Sequence, residues 1–424
     1  MMNRRSFLQS TALSVAAVCM QNVIAQAAAG KSNPVILIVS GFQAVNIGDI
    51  AQAPGLVQLL YKKIPNAKLI LCKSRYEEGV NEMMQANFPS LQIINGGVGA
   101  DLNLSAVLKT AFDEADICIH GSAPYIVGEK YMHAWIKHTR KPYGAFGITV
   151  MNLSETNKNI YQNASFIFTR ETKSIEVLKN EGIQGKHIFF APDATFFLNI
   201  SDDVKANKSL NELGLTEKEF ICVIPRLRNT PYYKIAPNPK VHTEENIKLV
   251  NETNNKYKEL DHAKLREAMI MWVRKTGHKV LVCPEMTYQV DIMDELLIDP
   301  LPEDVKSKVV KRGYWLPDEA ASVYKKAFAL LSFECHSPII SLANGTTAFY
   351  LRQPSDTIKG QMYYDLKLGD WCFEIDATKG SDISARLQEL IENPTRATKK
   401  VRRTQKDIDS IYTKAVKKVK SSIS

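Results

Sequence analysis

Short apolar runs alternate with longer segments of helical period along most of this 424-residue chain. No other feature of the sequence restricts the fold as much. A short, continuous apolar run bounded by turn residues reads as a strand buried on both faces, and such strands lie in parallel sheets covered by helices. A first set of strands falls at Val35–Ser40, Ala67–Cys72, Leu91–Ile94, Asp116–His120, Pro142–Ile148, Phe166–Thr169 and Ile188–Ala191. Helices are expected between them at Ala53–Lys63, Tyr76–Asn87, Leu104–Ala115 and Thr172–Glu181. The polar, lysine-rich Ser201–Phe220 then reads as a crossing. A second set of strands follows at Ile221–Pro225, Lys279–Pro284, Lys308–Lys311 and Ala329–Phe333, with a last strand at Thr347–Leu351. Its helices are expected at His262–Thr276, Val290–Leu297 and Asp318–Ala327, with one more starting at Ile339. Arg228–Glu259 is a long polar insertion, which reads as a lid or binding loop. The βαβ pattern therefore predicts an α/β protein of two Rossmann-like domains facing across a cleft, as in glycosyltransferases of the GT-B type.

The first thirty residues stand apart. Arg4-Arg5 followed by Ser6, Phe7 and Leu8, an apolar run from Thr11 to Cys19, and small residues Ala25 to Ala29 are the parts of a twin-arginine export signal. The apolar run is too short for a permanent span, so no transmembrane segment is expected after its removal and the protein should be periplasmic or secreted. The expected organisation is a signal at 1–30, one domain at 31–205, a second at 206–390, and a basic C-terminal helix at 391–424. Cys72, Cys118, Cys222 and Cys283 sit inside apolar runs without zinc-ligand or redox spacing, which predicts reduced, inert thiols.

The formal net charge is +9, with a conspicuous concentration in Lys399-Lys400-Val401-Arg402-Arg403 and Lys414–Lys420. Ile408, Ile411, Ala415 and Val419 recur beneath it at helical spacing, so the stretch reads as a packed helix with a solvated basic face. No nucleic-acid motif accompanies it. Outside the cytoplasm the polyanions on offer are acidic polysaccharides and lipid head groups.

Ligands in sheets of this kind sit beyond the carboxyl ends of the strands. Five stretches meet that test. Gly41–Asp49 offers Asn46 and Asp49 for hydrogen bonding and Gly48 for close backbone approach. His120-Gly121-Ser122-Ala123-Pro124 is a second small-residue loop. Arg170 follows the strand FIFT and can fork onto a carboxylate or phosphate. Arg226 and Arg228 follow the first strand of the second set, and either could face the cleft. In Phe333-Glu334-Cys335-His336-Ser337, a continuing strand would put Glu334 and His336 on one face, as a carboxylate–imidazole pair suited to acid–base work.

In their order and spacing these stretches resemble the polysaccharide pyruvyl transferase family from about Ile36 to Asp376. The resemblance runs through VNIGDIA (Asn46, Gly48, Asp49), HGSA (Gly121, Ser122), FTRETKSIEVLKNEGI, Pro192-Asp193 and ECHSPIISLANGTT. Ile358-Lys359-Gly360 and Asp370-Trp371 match more loosely. The resemblance implies transfer of a pyruvyl group from phosphoenolpyruvate onto two hydroxyls of a glycan sugar, without metal or organic cofactor. Arg170 would hold the donor anion, His336 would donate the proton, and Lys359 would join the substrate-binding set. Three departures stand out: the glycine-rich turn is reduced to Gly121-Ser122-Ala123, Glu334 replaces the arginine of R-x-H, and an export signal would carry the protein to where phosphoenolpyruvate is not expected. These keep two other readings open, an exported pyruvyl-ketal hydrolase using Glu334 and His336, and a non-catalytic glycan-binding protein. None of them sets an oligomeric state.

Overall fold

The computed structural model describes residues 33–41, 43–73, 77 and 79–423. The segment read as an export signal and the expected helix start at Tyr76 lie outside the described residues. The first sheet holds β1 (Val35–Val39), β2 (Lys68–Lys73), β3 (Gln92–Asn95), β4 (Ile117–His120), β5 (Tyr143–Ile148), β6 (Phe166–Thr169) and β7 (Ile188–Phe190). Its order is β3-β2-β1-β4-β5-β6-β7. The second sheet holds β8 (Phe220–Ile224), β9 (Lys279–Val282), β10 (Val309–Lys311), β11 (Ala329–Ser332), β12 (Thr347–Arg352) and β13 (Cys372–Glu374), in the order β10-β9-β8-β11-β12-β13. Neighbouring strands in both sheets run parallel. Each sheet thus contains the 3-2-1-4-5-6 order of a dinucleotide-type domain, with its order reversing beside β1 and β8 respectively.

The strand period of two divides the core. Ile36 and Ile38 join a large apolar cluster that continues through the second sheet, whereas Leu37 and Val39 face a second cluster on the outer side of the first sheet. Each such side chain, fully buried, contributes ~1.5–3 kcal/mol. Because the larger cluster is shared, the two halves are bonded by a common core.

Three expectations need correction. The insertion at 228–259 is not a loop: a short helix at Tyr232–Ile235 is followed by a 33-residue helix, Glu244–Thr276, capped by the Thr243 side chain and ended by left-handed Gly277. Its first half is polar all round because it is mostly exposed, and only the second half carries the buried stripe that sequence periodicity can detect. The crossing at Ser201–Phe220 contains the helix Asp203–Leu213, so a boundary at 205/206 would cut a helix. That helix belongs with the second half, since Ser209 Oγ donates to Glu319 at 2.8 Å. Strand β12 is not the last, because three-residue β13 pairs beyond it. The terminal helix Pro394–Ser421, expected as a packed helix, packs across both halves, with Tyr412 against Phe146 of β5 and Gln405 donating to the carbonyls of Leu342 and Ala343. The six described cysteines are free and buried, and no described helix is long and apolar enough to cross a membrane.

Candidate functional site

The loops after β1, β4, β8 and β11, which flank the two topological switch points, converge on one cleft of about 350 Å³. Asn46, Asp49, Arg170, Arg226, Glu334, His336 and Lys359 all line it. Its floor is a backbone junction between the halves. Ile47 N donates to Glu285 O at 2.9 Å and Thr287 N to Val45 O at 3.1 Å, a bridge centred on Asn46 and Met286. The helix Ile47–Lys63 starts there, earlier than the expected Ala53, because Asn46 Oδ1 caps it by accepting from Gly48 N at 2.7 Å and Asp49 N at 3.3 Å.

Strand β11 ends at Ser332, whose hydroxyl accepts from Glu334 N at 2.8 Å and donates to Glu334 O at 3.0 Å. That local bonding turns the chain, and His336 becomes the first residue of the helix His336–Ala343. Glu334 and His336 therefore do not share a strand face, and no hydrogen bond or ion pair joins them among the described residues. The carboxylates around His336 come from elsewhere. Asp193 Oδ2 lies 3.7 Å from Nε2 and Glu285 Oε1 lies 3.6 Å from Nδ1, with all three side chains almost wholly buried. Glu285 is fixed by its other oxygen, which accepts from Ser337 N at 2.6 Å at the helix N-terminus. Burial opposes the imidazolium, but the two carboxylates outweigh it, and the His336 pKa is pushed up to about 9.

Gly48 has a steric role here. A Cβ on it would lie 2.3 Å from His336 Cβ and 2.6 Å from Nδ1, so only glycine lets the histidine pass. Arg170 is only 1 % exposed and is no surface ion pair. Its Nη1 donates to Asp193 Oδ2 at 2.9 Å and its Nε to Thr149 Oγ1 at 2.7 Å, and Thr149 in turn donates to Glu171 at 3.0 Å. Burial works against a charged Asp193, yet His336 and Arg170 hold it well below the usual carboxylate range.

Glu334 occupies a different environment. It accepts from Gln289 Nε2 at 2.7 Å and lies 3.3 Å from Arg226 Nε, while Arg226 also pairs with Asp356. Burial raises its pKa to about 7 against the opposing pull of Arg226. Arg226 thus brings a positive charge to the residue that replaces the motif arginine. Arg228 turns away to pair with Asp261 and Asp376. Lys359, in the turn after β12, is partly exposed, and its ammonium has no ion-pair partner among the described residues. Burial raises the Asp49 pKa, with His336 the largest opposing influence.

Gly121 and Ser122 do not line the cleft. A Cβ at Gly121 would meet Ser40, and Ser122 Oγ accepts from Ala194 N at 3.1 Å, so this loop braces the Asp193 turn while Ala123, Pro124 and Tyr125 face the cavity. Other residues at the site received no role above. Glu285 and Asp193 each lie three residues past a strand, β9 and β7, so the after-strand test could have found both, whereas Gln52 and Tyr232 carry no local signal. Tyr125 and Tyr232, 55 % and 41 % exposed, reach the cavity from opposite halves. No group of three or more potential metal ligands occurs among the described residues.

Comparison with known proteins agrees with this arrangement. The chain is similar in fold to a glycosyltransferase from Rickettsia africae (11 % identity, 93 % of this chain and 99 % of that one, TM-score 0.57). It is also similar to Anabaena Alr3699/HepE in complex with UDP and glucose (10 % identity, 90 % and 96 % coverage, TM-score 0.54). At such identities the likeness shows the fold alone, two Rossmann-like domains of the GT-B kind. No curated protein sequence matches significantly. The family model "Polysaccharide pyruvyl transferase" matches residues 46–353, from the Asn46 cap to the end of β12. Since that span covers well over half of the sequence, the chain belongs to the polysaccharide pyruvyl transferase family.

Proposed function

We propose that the protein transfers the pyruvyl group of phosphoenolpyruvate onto two hydroxyls of one sugar in a glycan, releasing phosphate and leaving a carboxylate-bearing cyclic ketal. The observation that carries this reading is the set of three cationic groups, His336, Arg170 and Lys359, lining one small cavity between the switch points. A donor with a carboxylate and a phosphate needs that arrangement. At neutral pH His336 is an imidazolium. It can protonate the donor methylene carbon, making the adjacent carbon electrophilic. One sugar hydroxyl adds there, phosphate leaves, and the second hydroxyl closes the ketal. Of the two hydroxyl protons, one replaces that given by His336 and the other leaves with phosphate. Glu334, titrating near neutrality, is suited to receive a hydroxyl proton. Tyr125 and Tyr232 offer aromatic faces for the acceptor sugar at the cleft mouth.

The export expected from Arg4-Arg5 and the apolar run after them motivates a second reading, hydrolysis of an existing ketal outside the cytoplasm. That mechanism calls for a Glu334–His336 pair, and the two residues face different partners. One experiment separates the readings. The mature protein is incubated with galactan and phosphoenolpyruvate, and phosphate release and acid-labile pyruvate on the polymer are followed. Both should rise together and vanish in His336→Gln. Pyruvate released from a 4,6-pyruvylated galactan without donor would replace transfer by hydrolysis.

A further inference from the structure

The terminal helix Pro394–Ser421 carries ten lysines and arginines against two aspartates, a net +8 in a chain whose formal net charge is +9. The other long helix, Glu244–Thr276, mixes seven bases with six acids, as solvated surfaces ordinarily do. The two helices therefore differ in kind. At about 100° per residue, the buried side chains of the terminal helix, from Ala397 through Val401, Ile408 and Tyr412 to Val419, occupy one side. Eight basic residues running from Arg396 to Lys420 are exposed and fall within roughly a third of the circumference on the other side. No carboxylate lies within that arc. Asp407 sits at its edge, and Asp409 is paired with Lys63. Of the ten bases only Lys400 has an ion-pair partner among the described residues, Asp370. The stripe is ~36 Å long.

We infer that this stripe is a track for a linear polyanion, and that its occupant is the carboxylate-bearing polysaccharide that the proposed reaction makes. The inference rests on that reading for the identity of the polymer. Like charges held in line with no intervening acid destabilise a helix, by about 0.2–0.5 kcal/mol for each close pair. A polyanion relieves that repulsion along the whole length. A membrane is a poorer fit, because the apolar face of this helix is spent inside the protein and the stripe offers no aromatic or aliphatic side chain to insert. A single-stranded nucleic acid is likewise poorly served, since no aromatic residue lies in the stripe for base stacking. Each ketal converts a neutral sugar into an anionic one, so affinity for the track grows as modification proceeds, and product already made holds the enzyme on its polymer.

The test is direct binding of the full chain, without donor, to immobilised 4,6-pyruvylated galactan and to the same galactan depyruvylated by mild acid. The pyruvylated polymer should bind at least about tenfold more tightly, and that preference should collapse between about 50 and 500 mM salt. The fourfold variant Arg402→Glu, Arg403→Glu, Lys406→Glu, Lys414→Glu should lose it with a melting temperature no lower than wild type, because all four side chains are exposed and the repulsion among them is relieved. The inference falls if this variant binds like wild type, if the neutral galactan binds equally well, or if anionic vesicles or DNA displace the polymer. No turnover is needed, so a chain that fails to transfer pyruvate still gives a readable answer.

Discussion

His336 and Glu334 are two residues apart and face different surroundings. The histidine is enclosed by Asp193 and Glu285, and gains a proton; the glutamate lies beside Arg226 but is buried enough to titrate near neutrality. Both environments are assembled from distant parts of the chain. The histidine's comes half from each domain, with Asp193 before the first crossing and Glu285 after β9. The glutamate's comes from the second half alone, through Arg226, Gln289 and Asp356. A charge beside a residue in sequence thus says little about the charge that sets its protonation. At neutral pH the pair thus consists of an imidazolium and a carboxyl group close to its own titration point.

The sharpest way to break this contrast is His336→Gln. It should reduce phosphate release by about 10³-fold or more, since both the proton donor and the central cation are lost. The native pKa of His336 is raised from an ordinary 6.5 to about 9. Its charge therefore stabilises the fold fully below about pH 6.5, and that stabilisation is lost as pH rises through about 9. Melting curves of wild type should show this loss, and those of His336→Gln should not. Gly48→Ala keeps every charge and moves only the imidazole, because the new methyl would occupy its place. A rate loss of about 10²-fold is expected from misplacement alone, with ~1–3 kcal/mol of destabilisation in chemical denaturation.

Glu334→Gln tests the other environment. Activity should fall by about tenfold to a hundredfold, and the acid limb near pH 7 in the pH–rate profile should flatten while the alkaline limb near 9 stays. An unchanged acid limb would remove Glu334 from proton transfer. The smallest effect belongs to Lys359→Ala, at the partly exposed edge: the KM for phosphoenolpyruvate should rise about tenfold with kcat little altered. Equal losses in kcat and kcat/KM would instead assign the lysine to the transition state.

Much of the fold was legible because buried parallel strands announce themselves as uninterrupted apolar runs. Twelve expected strands correspond to β1–β12, whereas β13 is too short to carry a pattern. The first half of the Glu244–Thr276 helix was hidden by its exposure, and the start of Ile47–Lys63 by Pro54 inside it. For the site, position after a strand identified Asn46, Asp49, Arg170, Arg226, Glu334 and His336 as neighbours of one cavity. Lys359 came from the family resemblance. The pairing of His336 was not legible, since it depends on where β11 stops, and that is decided by the Ser332 hydroxyl. Gly121 and Ser122 looked like ligand-contacting residues because a brace under a loop and a loop facing a ligand call for the same small side chains.

Tyr412, twelve residues from the chain's end, donates its hydroxyl to the carbonyl of Asp193 at 2.6 Å. The support beneath the carboxylate that holds both Arg170 and His336 therefore leaves the ribosome after every motif of the family. During synthesis the cleft can be shaped but not finished. A chain ended early by a frameshift, or trimmed at its tail, keeps every motif of the family and lacks the prop that fixes two of its charges. Loss of Tyr412 should therefore loosen Asp193, and with it the Arg170 and His336 charges, while every motif stays in place.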